Sequence, residues 1–158
     1  MDDERRGRLA IYLNDHLAGS TIGVERARSA RGANEGTEFG PPLGSICEQI
    51  EEDRATLESI MDELGISRSQ LKPALGWVGE RIGRLKPNGQ IRGYSPLGRV
   101  IDLEVLILGI SGKLRLWVLL DELLDDGETS TDLPTLIRRA EEQRERVEDL
   151  QKRAARLL

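Results

Sequence analysis

The feature that most constrains this chain is a heptad seam in its first half. Leu43, Ile46, Ile50, Leu57, Ile60 and Leu64 recur at alternating steps of three and four, with Asp53 filling the single gap. Positions so spaced share a face only on an α-helix, and Gly65 is placed to terminate it, giving a helix from about Pro42 to Leu64. Asp53 occupies the heptad position shared by Ile46 and Ile60. A carboxylate on a buried seam must be paired, protonated or metal-bound, because burying it alone is costly.

Other segments read the same way. From about Asp3 to Arg31, Leu9, Leu13, Leu17, Val24 and Ala27 mark one helical face. The stretch from Gly32 to Pro42 is rich in Gly and Pro and reads as a loop. Ser67 with Gln70 fits a capping box opening a shorter helix that carries Leu71, Leu75, Val78, Ile82 and Leu85 and stops at Pro87-Asn88-Gly89. Ser95-Pro96 starts a third long helix, apolar nearly all round, to about Asp125. After a polar turn, a last helix from about Asp132 to Leu158 sets Leu136, Ala140, Val147, Leu150, Ala154 and Leu157 on one face, opposite a surface of Arg and Glu. No segment reads as a strand. A chain of 158 residues is one domain's worth, so a single domain over residues 1–158 is expected.

Loop lengths select among bundle topologies. The first and last connections are short and make antiparallel hairpins, whereas Gly65 to Tyr94 is long enough to traverse a bundle's full length. Hairpin, crossover, hairpin is the ferritin-like order. The expected fold is therefore all-α: a ferritin-like four-helix bundle with a long crossover carrying a short fifth helix.

The segments IYLNDHLAG (Ile11 to Gly19), IEEDRATLESIMDELG (Ile50 to Gly65) and GYSPLGRVIDLE (Gly93 to Glu104) resemble an uncharacterised, mainly actinobacterial family of ferritin-like domain proteins. The resemblance covers most of the chain. It implies the scaffold and no assigned activity.

Composition removes several functions. One Cys and one His exclude an internal disulfide, a Cys-based zinc cluster and multi-histidine metal motifs. Only five of the residues are aromatic, and the net charge is −5, so neither a stacking platform nor a phosphate-backbone binder is expected and nucleic acid is not a partner. The greasy run from Val100 to Leu124 is interrupted by Asp102, Glu104, Lys113, Arg115, Asp121 and Glu122, which argues for a central helix rather than a membrane span. The opening Met-Asp-Asp-Glu-Arg-Arg has no apolar run behind it, and a cytoplasmic location is expected.

A di-iron bundle draws a Glu-x-x-His from each of two helices, and this chain has none. A reduced carboxylate and imidazole site remains, with His16, Asp53 and Glu104 as its metal ligands and iron or manganese as its ion. Against it stands a buried polar layer in which Arg144, or another inward-leaning Arg, pairs with Asp53 or Glu104, with Glu52 and Gln143 as further buried polar candidates; this reading is favoured, with no cofactor. His16 faces inward if the first helix uses Leu9, Leu13, His16 and Ser20 as its seam, and lies on the flank if it uses Ala10, Leu13, Leu17 and Ser20. Gly19, Ser20 and Gly23 are small enough to admit close approach of another helix or a small-molecule ligand. Gly109-Ile-Ser-Gly112-Lys113 lacks the spacing and preceding strand of a phosphate loop, and Cys47, set among Leu43, Ile46 and Ile50, reads as an inert buried thiol. Trp77 and Trp117 read as gap-fillers. The chain is expected to be non-catalytic and to act through helix-mediated association, with the amphipathic last helix as the contact and a homodimer as the product; a metal-binding or redox bundle is the alternative.

Overall fold

Helix ends fall where the sequence supplies partners for unpaired backbone groups. A computed structural model of the chain describes residues 2–68, 94–125 and 127–158. Four helices occupy them, with no strand among the described residues: α1 (Asp3–Ala33), α2 (Gly40–Glu63), α3 (Pro96–Leu123) and α4 (Leu133–Ala155). The carboxylate of Asp2 accepts from the Arg5 amide at 2.7 Å, Ser95 Oγ from Gly98 at 3.0 Å, and Asp132 from Thr135 at 3.1 Å, so α1, α3 and α4 are each capped by a side chain. At the start of α2 no side chain caps, and proline takes the first positions, where an N–H would have no helical partner. Gly65, at φ +62°, ends α2: its amide donates to the Asp62 carbonyl at 3.0 Å and the Ile66 amide to that of Met61 at 2.8 Å, the paired bonds of a Schellman motif. The expected short helix of the crossover and Trp77 fall within residues 69–93, outside the described residues.

Two apolar clusters fix how the helices run. One joins the N-terminal half of α1 (Leu9, Leu13, Leu17) to the C-terminal halves of α2 and α3 and the start of α4. The other joins the C-terminal half of α1 (Val24, Ala27, Ala30) to the N-terminal halves of α2 and α3 and the end of α4. Hence α1 is antiparallel to α2, α3 is antiparallel to α4, and α2 and α3 run parallel. The chain accordingly leaves α2 at one end of the bundle and enters α3 at the other. Helix α1 packs on α2 and on α3, and α3 packs on α4. Trp117 is buried in the first cluster as a gap-filler. No helix among the described residues is long and apolar enough to cross a membrane.

The second end is tied by polar groups as well. Buried Asn34, just past α1, accepts from Arg99 Nε of α3 at 2.6 Å and donates to the Ala30 carbonyl at 2.7 Å. The Arg99 guanidinium lies 4.5 Å from the centre of the Phe39 ring, and that of Arg153 in α4 lies 5.5 Å from it. The α1–α2 turn is therefore clamped to α3 and α4. Gly40 sits inside this turn, where a Cβ would stand 2.8 Å from the Asn34 carbonyl oxygen, a backbone atom that cannot swing away. Gly40→Ala should lower stability by about 1–3 kcal/mol through this overpacking. Urea unfolding of the variant measures it, and a stability equal to wild type would contradict the tight turn.

Candidate functional site

Between the two apolar clusters every helix changes chemistry at the same level. On α2 Asp53 lies between Ile50 and Leu57, on α3 Lys113 between Ile110 and Leu114, and on α4 Gln143 between Ala140 and Val147; in each case the flanking residues belong to opposite clusters. On α1 the same step holds Ser20 and Thr21, whose hydroxyls donate back to the Leu17 carbonyl at 2.6 and 3.3 Å. The interior thus has a polar layer at mid-height.

Asp53 is its centre, with only 3% of its side chain exposed. One carboxylate oxygen, Oδ2, accepts from Lys113 Nζ and, at 3.1 Å, from Gln143 Nε2; the other, Oδ1, accepts from the Arg139 guanidinium. Gln143 is also buried, and its Oε1 accepts from Lys113. A glutamine suits this place because its amide offers one acceptor to an ammonium and one donor to a carboxylate. Arg139 reaches onward to Glu52 at 3.2 Å. Two cations therefore meet one buried and one exposed carboxylate, and the layer is neutral. Burial pushes the Lys113 ammonium below its ordinary range, while the adjacent Asp53 charge pulls the other way and Arg139 adds to the lowering.

The sequence candidates distribute unevenly over this layer. Asp53 and Gln143 are in it. Glu52 is exposed rather than buried, since it lies one residue off the α2 seam, and touches the layer only through Arg139. Arg144 is not the inward arginine: one residue beyond Gln143, it lies half-buried and pairs along α4 with Glu148 at 3.6 Å. Glu104 is exposed on α3. His16 is half-buried on the flank of α1, its ring edge-on to Tyr12 with centroids 4.6 Å apart. Leu13 and Leu17 take the inward positions, so His16 and Glu104 are not brought to Asp53. Among the described residues no three His, Cys, Asp or Glu side chains gather to hold a metal ion.

Two further expectations are corrected. Among the described residues a Cβ on Gly19 or Gly23 would meet nothing within 4 Å, so none of the four described helices approaches α1 closely there. The apolar face of α4, expected to serve association, is buried within the chain's own core from Leu133 to Ala154. Cys47 is buried as expected; its thiol lies 3.7 Å from Glu51 Oε1, and burial, aided by that carboxylate, raises its pKa and keeps it protonated.

The donor set decides what the layer can do. A divalent ion requires free anionic or neutral lone pairs, whereas both Asp53 oxygens already accept from fixed N–H groups and two positive charges stand beside them. These residues do not fit a metal centre. Nor is a nucleophile or general base left free, because the one buried carboxylate is held by three donors. Arg139, which is the inward-leaning arginine in place of Arg144, and Lys113, which sequence reasoning missed, are what close the site. Comparison with family models, with curated proteins and with solved structures gives no match.

Removing one partner from such a layer leaves the others buried and uncompensated. Asp53→Ala should cost about 3–5 kcal/mol, whereas Asp53→Leu combined with Lys113→Met, which removes both charges, should recover much of that loss. Equal destabilisation of the single and double variants in urea unfolding would refute the pairing. His16 gives a separate test by pH. Burial holds its imidazole below the ordinary 6.5, against the opposing pull of Asp15. As the pH falls through about 6.5 the unfolded chain takes up a proton that the folded chain does not, so stability drops until the folded imidazole titrates too. His16 is the only histidine, so His16→Gln should flatten this decline; matching slopes in both proteins would show that the ring is not shielded.

Proposed function

We propose that this chain is a non-catalytic ferritin-like bundle that works through association, its interior closed by an ionic layer where related bundles carry a metal centre. The observation carrying this reading is the saturation of Asp53 by Lys113, Arg139 and Gln143. In ferritin-like carboxylate proteins inward Glu and His side chains surround two metal ions at mid-height. Here the mid-height cations are the ammonium of Lys113 on α3 and the guanidinium of Arg139 on α4, neutralised by carboxylates of α2. An ammonium so placed supplies charge balance without Lewis acidity, redox chemistry or an exchangeable ligand. The parallel course of α2 and α3 supports the ferritin-like order. With the interior occupied by its own side chains, what the protein offers to other molecules is its surface.

Anaerobic titration with Fe²⁺ or Mn²⁺, followed by desalting and metal analysis, tests this. The wild-type protein should retain only substoichiometric metal, and Asp53→Asn should retain the same amount. Stoichiometric metal in the wild type that Asp53→Asn abolishes would overturn the reading in favour of a metal-binding bundle.

A further inference from the structure

The outer face of α3 is the surface the bundle leaves unfinished. Large apolar side chains of the described residues are exposed at six positions, and three of them lie on this one helix: Leu97 at 57%, Leu108 at 68% and Val118 at 38%. With half-buried Ile101 they form a stripe on the side of α3 opposite Leu103, Leu106, Ile110 and Trp117, which face the core. Stripes of this kind on a folded surface mark contact sites. The stripe also carries two exposed charges, Glu104 and Arg115, three helical turns apart, and neither has an ion-pair partner among the described residues.

The order of these residues says what covers them. In an antiparallel helix pair related by a two-fold axis, residue i of one copy meets residue j of the other and j meets i, so the sum of the two numbers is constant. Antiparallel coiled coils further pair a positions of one helix with d positions of its mate. Taking Leu97, Glu104, Ser111 and Val118 as d positions and Ile101, Leu108, Arg115 and Glu122 as a positions, a single register sets Glu104 against Arg115 and Arg115 against Glu104. The same register sets Val118 against Ile101, Leu108 against Ser111 and, at the outer ends, Leu97 against Glu122. The axis then falls between Leu108 and Ser111, the two stripe residues nearest the crossing. The reciprocal Glu104–Arg115 pairs, with Val118 on Ile101 between them and the helix ends, select this register.

We propose that the outer face of α3 is a self-association surface, on which a second copy of this chain docks antiparallel with Glu104 of each copy paired to Arg115 of the other. This rests on the association reading above and names its partner. The interface uses α3, not the amphipathic α4 whose apolar face is already buried.

Sedimentation equilibrium of the full chain with charge-reversal variants tests the register. Wild type should dimerise. Glu104→Arg places two Arg–Arg contacts in each dimer and Arg115→Glu places two Glu–Glu contacts, so each alone should weaken self-association by about 100-fold or more. An equimolar mixture of the two variants should dimerise, since every contact between unlike copies is then Arg with Glu, and this gain cannot arise from a misfolded variant. Spin labels at Leu97 should stand about 37 Å apart along the helix axis in this register. A dimer indifferent to both reversals would place the contact elsewhere, overturning this surface while leaving association through another face open. A monomer at all concentrations would overturn the second copy as occupant. The metal titration reads the closed interior independently of all these outcomes.

Discussion

Everything in the bundle's interior is arranged around one negative charge. A seam of Leu and Ile would pack with no demand on its neighbours beyond volume, but Asp53 in the middle of that seam demands donors from other helices. Burying a carboxylate unaccompanied costs several kcal/mol, a sum comparable to the whole stability of a small domain. Lys113 must therefore come from α3 and Arg139 and Gln143 from α4, at a fixed height and from fixed directions. The layer splits the apolar core in two, and each half alone would tolerate sliding of one helix against the next by a turn. The polar layer does not, because a slide of one turn carries Lys113 or Gln143 past the carboxylate and leaves all three unpaired. Its contribution is to register more than to net stability, in line with the best-attested use of buried polar groups.

Much of this was legible in the sequence, for reasons that vary by element. The helix starts at Ser95 and Asp132 and the stop at Gly65 announce themselves because capping is local chemistry. Asp53 stood out because α2 is otherwise strictly periodic, and the requirement that it be paired follows from electrostatics alone. The partner was harder. On α4, Arg139 and Arg144 flank Gln143 on opposite sides, and only the position of α2 decides which of them leans inward; Arg139 lies on the side toward α2 and Arg144 on the side toward solvent and Glu148. Lys113 was hidden for a different reason. Helix α3 is apolar nearly all round, so periodicity does not define its inward face, and a lysine among Leu and Ile reads as one that extends to water. His16 illustrates the same limit: two seams fit α1 equally, and packing chose the one through Leu13 and Leu17.

The two helices of the second hairpin also exchange the roles their sequences suggest. Helix α4 has the sharp division into apolar and charged faces that invites a partner, and it finds that partner within its own chain. Helix α3 has no such division and supplies both the inner packing surface and an outer apolar stripe. Amphipathicity reports how much of a helix is buried, not by whom. A helix that is apolar all round belongs either at the centre of an assembly or within a membrane, and in a four-helix bundle no position is surrounded on every side. The apolar outer face of α3 is thus surface that the four described helices leave uncovered.

These two features are mechanically linked. Lys113 lies about 140° around α3 from Leu108 at 100° per residue, so the bond from Lys113 to Asp53 sets the rotation of α3 about its own axis. Turned the other way, Leu108 and Ile101 would enter the core and the stripe would vanish, an arrangement that apolar packing alone would accept because α3 offers Leu, Ile or Val on nearly every side. The buried charge forbids that alternative, since it would send the ammonium to solvent and leave Asp53 short of a partner. An ion pair in the interior therefore determines which side chains the protein presents at its surface, and a helix with ambiguous patterning acquires a single outward face.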